Sequence, residues 1–226
     1  AMADYMVVPA EKGIPIPKGL SLRDARLSEP VAVGVRGVKR ADVLLNKNIV
    51  ILGAGMIGLS ILVNAVKAGA KNIIVIDLIP ERLDMAKELG ATKILKTNEI
   101  NIKEKIKEVA PYEGIDVVFE CVGIEKTIRD AIEIVRKGGK IIVVGVFGEE
   151  TKVQMAYVQD RELEILGSLM YIRRDFTEAV EMLARNEFPT EKFISRIFPL
   201  EEGQKAFEAA FNKEKNIKIV FEINPE

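Results

Sequence analysis

The sequence predicts an α/β fold built on a doubly wound parallel sheet, and three observations carry that prediction. From Asn48 onward, short β-branched runs alternate with segments of helical period. The runs are apolar throughout rather than at every second residue, so both faces of each strand are covered, as in a parallel sheet. A glycine-spaced turn, Gly53-Ala54-Gly55-Met56-Ile57-Gly58, joins the first run to the first helix of the series. Strand and helix units alternating in this way stack as one sheet between two helical layers.

Each element has its own signal. Asn48–Leu52 reads as the first strand. Met56–Gly69 reads as a helix, with apolar residues at 57, 61, 62, 65 and 66. Ile73–Asp77 is the second strand. A helix opens at Pro80 and closes at Gly90, the expected order of proline at the start and glycine at the end. Ile94-Leu95 gives a short third strand and Ile102–Val109 a helix. Ile115–Val122 and Lys140–Val146 are two buried strands separated by the helix Glu125–Arg136, and Leu163–Leu169 is the sixth. The ends read differently. Tyr5–Pro9 is a candidate strand before the stiff Ile14-Pro15-Ile16-Pro17. Helices near Asp175–Asn186 and Leu200–Asn212 precede a terminal strand Ile217–Ile223.

Composition removes several classes of function. The 226 residues carry 33 Lys+Arg against 34 Asp+Glu, so no excess of positive charge serves a nucleic acid. Lys103, Lys105 and Lys107 are interleaved with Glu104 and Glu108, the pattern of a solvated helix face. No apolar run approaches the roughly 20 residues of a membrane span, and the N-terminus lacks the blocks of a signal peptide. One cysteine, Cys121, excludes an intrachain disulfide and fits a cytoplasmic setting. There is no histidine. That removes the Ser-His-Asp triad, the His-Glu-x-x-His zinc helix and an imidazole general base.

The glycine turn gains meaning from its context, directly after a buried strand and at the start of a helix. Gly53 permits the tight turn, Gly55 lets backbone approach a pyrophosphate, and Gly58 lets helix and strand pack closely. The amides opening at Met56 and Ile57, with the positive end of the helix dipole, suit a phosphate. This is the fingerprint of a Rossmann sheet, whose strand order is 3-2-1-4-5-6. Asp77 ends the second strand 19 residues after Gly58, near the spacing of the acid that holds a ribose hydroxyl. A charge-assisted hydrogen bond there contributes roughly 1.5–3 kcal/mol. A 2′-phosphate at ~4 Å would instead meet repulsion on the order of 4 kcal/mol at an effective dielectric of about 20. NAD is thus favoured over NADP, although Arg82 lies close enough in sequence to accept a phosphate. A methyltransferase shares the sheet, the acid and the Gly138-Gly139 turn, but the glycine spacing favours a dinucleotide.

These residues, with Ala3-Asp4-Tyr5-Met6-Val7-Val8-Pro9, Leu27-Ser28-Glu29-Pro30, Val50–Leu59, Asp77–Gly90, Asp116–Gly123, Gly138–Gly148 and Leu166–Tyr171, resemble the zinc-type medium-chain dehydrogenase/reductase family. The nearest branch is that of polyol, butanediol and threonine dehydrogenases. The resemblance covers essentially the whole chain. It implies a nucleotide domain over 31–170, with pieces of a GroES-like catalytic domain at 1–30 and 171–226. It also implies that Asp77 and Arg82 contact the adenosine ribose, and that Cys121, Val122 and Gly123 lie beneath the cofactor. Val144, Gly145 and Val146, with Ser168, Leu169 and Met170, match segments whose backbone holds the nicotinamide carboxamide. Lys218 matches a basic position that reaches the pyrophosphate. On residue type alone, Cys121 reads as a small buried strand residue and Val144 and Val146 as sheet core.

The resemblance further implies an alcohol or polyol substrate, and a homodimer paired through the edge strand near Leu163–Leu169. It starts partway into the family's pattern. Complete members hold a catalytic zinc through a preceding cysteine and histidine. Here Glu29 alone matches a carboxylate near that zinc, and Arg36 stands where relatives often have histidine. One carboxylate does not make a zinc site, and Glu29 also suits the start of a helix. Zinc lowers the pKa of bound water from 15.7 to about 7. At about 1.36 kcal/mol per unit that is on the order of 12 kcal/mol of help toward deprotonation. The expectation is therefore that this polypeptide binds NAD but does not oxidise alcohols by itself. Tyr5–Val8 and Ile217–Ile223 are further expected to expose apolar edges and to promote self-association.

Overall fold

Two helices, α1 (Leu22–Ala25) and α2 (Ser28–Arg40), precede a regular alternation of strand and helix. That alternation runs β1 (Asn48–Leu52), α3 (Met56–Lys67), β2 (Asn72–Asp77), α4 (Pro80–Glu88), β3 (Lys93–Lys96), α5 (Ile102–Val109), β4 (Ile115–Glu120) and α6 (Glu125–Ile134). It continues through β5 (Val135–Val143), α7 (Met155–Asp160), β6 (Glu164–Gly167) and α8 (Arg173–Ala184). The chain ends with α9 (Thr190–Phe193), β7 (Ile194–Pro199), α10 (Gly203–Phe211) and β8 (Lys218–Glu222). The structure is a computed structural model and describes residues 2–3, 5–97, 101–110, 114–212 and 216–223, so Asp4 lies outside it.

Six strands form one sheet in the order β3-β2-β1-β4-β5-β6, and every neighbouring pair is parallel. This is the order expected from the sequence. The apolar runs are continuous because their alternate residues feed two cores. Ile49, Ile51, Ile73, Val75, Val117 and Phe119 face the layer holding α2, α3 and α8. Val50, Leu52, Ile74, Ile76, Val118 and Ile141 face α5 and α6, meeting Ile102, Ile106, Ile128 and Ile132.

Several boundaries differ from the sequence reading. β4 ends at Glu120 and β6 at Gly167, so Cys121–Gly123 and Ser168–Met170 lie in loops beyond the strands. β5 starts at Val135, and its register with β4 shifts across Arg136–Gly139, so the Gly-Gly turn is a bulge inside the strand. The helix over 28–40 had no strong signal, because Gly34 and Gly37 lower its propensity. Gly34 is there for packing: a Cβ at that position would lie 2.2 Å from Ser60 Oγ of α3.

The ends require two corrections. Tyr5–Pro9 is not a strand; among the described residues no neighbouring strand supplies a ladder for it, and Tyr5 and Val7 are 93% and 100% exposed. The segment that follows is held instead by Arg173, whose guanidinium donates to the carbonyls of Glu11 (2.6 Å) and Gly13 (2.8 Å). The terminal strand β8 does have a partner, pairing in parallel with β7 from Ile194↔Lys218 to Pro199↔Glu222. β7 was hidden in the sequence because Ser195 and Arg196 break its apolar run.

Candidate functional site

In a parallel sheet all strands end on one edge, and ligands bind in the crevice outside those ends. The turn Gly53–Gly58 after β1, Asp77 at the end of β2, Cys121–Gly123 after β4, Val144–Val146 after β5 and Ser168–Met170 after β6 therefore share one edge. Backbone bonds tie them in sequence. The Gly53 amide donates to Ile76 (2.8 Å), Cys121 to Leu52 (2.9 Å), and Ser168 to Val143 (2.8 Å).

The glycine turn is built as its spacing demands. Gly53 has φ +98°, and a Cβ on Gly58 would lie 1.8 Å from the Gly53 carbonyl oxygen, so α3 presses directly on the turn. Gly55 differs. A Cβ there would meet only Arg82 Nη1, at 3.7 Å, leaving its face open. Gly55 is the extended N-cap of α3 and no side chain caps the helix, so its first amides are left for a ligand or water. Asp77 binds the turn to its neighbour: Oδ2 accepts from the Ala54 amide (2.6 Å), and Oδ1 from Leu78 (2.7 Å) and Ile79 (2.9 Å). A carboxylate offers about four acceptor sites, so one remains for an incoming hydroxyl. The open glycine and the half-buried acid fit a dinucleotide diphosphate and its ribose.

A residue that sequence reasoning missed lies at the end of β4. Glu120 is 0% exposed, and its Oε1 accepts from the amides of Val122 and Gly123 and the hydroxyl of Thr127, at 2.8, 2.8 and 2.7 Å. Its main-chain carbonyl accepts from Val144 and Gly145, both at 2.9 Å. The only cue was a charged residue closing an otherwise apolar run, Val117-Val118-Phe119-Glu120. Beside it, Cys121 is partly buried against the core, and burial, followed by the Glu120 charge, pushes its thiol well above the usual range. It is a packing residue rather than a reactive thiol.

The remaining candidates divide. Val144 packs on the core, whereas Val146 and Leu169 are 87% and 83% exposed on the strand-end edge. Ser168 is buried, and Met170 adopts a left-handed φ of +46°. Lys218 opens β8 in the second sheet, opposite Ile194. Glu29 is exposed in the first turn of α2. It lies close enough to Tyr171 that, after burial, its charge helps raise that phenol's pKa. Arg36 pairs with the buried Asp175 at 3.7 Å. A cleft of about 730 Å³, lined by Glu11, Ile14, Ser28, Tyr171 and Phe176, adjoins this region rather than the glycine turn. Among the described residues no group of three or more Asp, Glu, Cys or His is placed to hold a metal ion. The donors among the described residues do not fit a zinc centre.

Residues 56–185 match the family model described as zinc-binding dehydrogenase, more than half of the chain. The chain belongs to the zinc-binding dehydrogenases of the medium-chain alcohol dehydrogenase type. As a zinc-binding dehydrogenase it is 31% identical to L-idonate 5-dehydrogenase of Vitis vinifera over 99% of its own length and 62% of the relative's. It is 32% identical to sorbitol dehydrogenase of Bos taurus over 93% and 59%. Among solved structures, one from Sinorhizobium meliloti 1021, described as a zinc-binding dehydrogenase and bound to NADP, superposes with a TM-score of 0.86. That pair shares 25% identity and covers 97% of this chain and 65% of the other. The chain thus spans 62% and 59% of the length of the two curated relatives.

Proposed function

We propose that this chain is the NAD-binding portion of a zinc-dependent alcohol or polyol dehydrogenase. Residues 31–170 form the nucleotide domain, and 1–30 and 171–226 belong with the catalytic domain. One observation carries the reading: Gly55 presents an open face at the start of α3, between Arg82 and an Asp77 that still has acceptor capacity. The amides at Met56 and Ile57 bind the diphosphate, and Arg82 contacts the adenosine ribose. Asp77 accepts from the adenosine ribose. Cys121, Val122 and Gly123 floor the cleft. The exposed apolar groups of Val146 and Leu169 shield the nicotinamide from water, while backbone at Val144–Val146 and Ser168–Met170 orients its carboxamide. Held by these residues, NAD would supply the hydride acceptor for a secondary alcohol in the complete protein.

The Asp77 carboxylate repels a 2′-phosphate, which favours NAD; Arg82 beside the open glycine is what supports NADP as a second ligand. Calorimetric titration of the 226-residue chain with NAD, NADP and S-adenosylmethionine tests this. We expect NAD to bind at least about tenfold more tightly than NADP, a difference of about 1.4 kcal/mol, and S-adenosylmethionine not to bind. Binding of S-adenosylmethionine alone would place the site in a different chemistry. On this reading the chain by itself binds cofactor without oxidising alcohols, because among the described residues no three Asp, Glu, Cys or His are placed to hold a metal ion. Zinc-dependent polyol turnover by the purified 226-residue chain would overturn that half of the proposal.

A further inference from the structure

Glu120 is a fully buried carboxylate, and among the described residues no cation is a partner of either oxygen. Such burial is costly unless donors replace the lost water. Three donors do so on Oε1. They come from the loop after β4 (Val122, Gly123) and the first turn of α6 (Thr127). The residue's carbonyl takes the first two amides of the loop after β5. Oε2 is buried without a partner among the described residues and faces Gly145, where a Cβ would lie 2.5 Å from it. The same two loops touch backbone to backbone: a Cβ on Gly145 would lie 2.3 Å from the Gly123 nitrogen, and one on Gly123 2.4 Å from the Val146 carbonyl oxygen. An apolar side chain would fill the volume but could not hold this geometry.

We propose that Glu120 is a positioning residue for the nicotinamide half of the dinucleotide, a role that rests on the reading of this edge as an NAD site. Its carboxylate fixes the loop after β4 and the first turn of α6, and that loop packs backbone to backbone on the loop after β5, which the Glu120 carbonyl also holds. The diphosphate turn and Asp77, after β1 and β2, are held by separate bonds of their own. Loss of the carboxylate therefore falls on one half of the ligand. A residue needed only for folding would weaken both halves together.

The test compares NADH with ADP-ribose, which lacks the nicotinamide, by calorimetry on the wild type and on Glu120→Gln, Thr127→Val and Thr127→Ser, with thermal unfolding alongside. We expect Glu120→Gln to weaken NADH on the order of tenfold, as loss of a charge-assisted bond would, and ADP-ribose by less than about twofold. Thr127→Val should show a smaller loss of the same pattern, and Thr127→Ser should restore wild-type binding. If Glu120→Gln does not fold, Thr127→Val and Thr127→Ser carry the comparison. Equal losses for both ligands, or none for either, would overturn the proposal. A wild type that binds neither ligand would instead remove the NAD reading, and this inference with it.

Discussion

Gly55 and Gly58 differ by three positions and by opposite physical demands. A methyl group on Gly58 collides with the Gly53 carbonyl at 1.8 Å, and backbone cannot swing aside as a side chain can. Gly58→Ala should therefore cost about 1–3 kcal/mol of stability in urea unfolding and weaken NAD as the turn is displaced. Gly55→Ala meets no atom closer than 3.7 Å. It should leave the urea midpoint nearly unchanged yet reduce NAD affinity on the order of tenfold or more, because the methyl occupies the ligand's approach. Loss of stability without loss of binding at Gly55 would show that its open face is not the diphosphate cradle.

At the scale of elements, α3 and α8 are tied at their C-terminal ends by Glu187, which pairs with Arg185 just beyond α8 and with Lys67 closing α3. Hydrogen bonds from Arg185 and then Lys67 lower the Glu187 pKa from 4.5 to about 2. A depressed carboxyl contributes stability that is present above its unfolded pKa and is lost as protons bind the folded form. The contribution is thus complete above about pH 4.5 and fades as pH falls toward about 2. Thermal melts of wild type and Glu187→Gln should differ at pH 6 and converge near pH 2, with salt narrowing the gap because the pair is solvent-exposed. A constant offset across that range would mean that the ion pair does not link the two helices.

For the whole molecule, the described surface retains apolar groups that a solvated monomer seldom exposes together. Tyr5, Met6, Val7 and Val8 are exposed near one end, and Phe207 and Phe211 near the other. β6 closes the large sheet, and its outer edge has no partner strand among the described residues. Edges and patches of this kind drive association. Sedimentation velocity should show species heavier than the monomer as concentration rises, and removal of residues 1–9 should reduce them. A single monomeric boundary across the whole concentration range would contradict this.

What the sequence determined by itself was local and periodic: the continuous apolar runs, the glycine spacing and the acid after the second strand specify a parallel sheet with a nucleotide turn. Each of those signals spans a few neighbouring residues and follows from backbone sterics and burial. What only the tertiary structure decided depends on groups distant in the chain. Whether β8 has a partner, whether Tyr5–Pro9 is a strand, and which sheet carries Lys218 are all set by what lies alongside. Glu120 shows the same division. As a letter it is one acid at the end of an apolar run; its significance comes from three donors and two amides that the fold brings to its two ends.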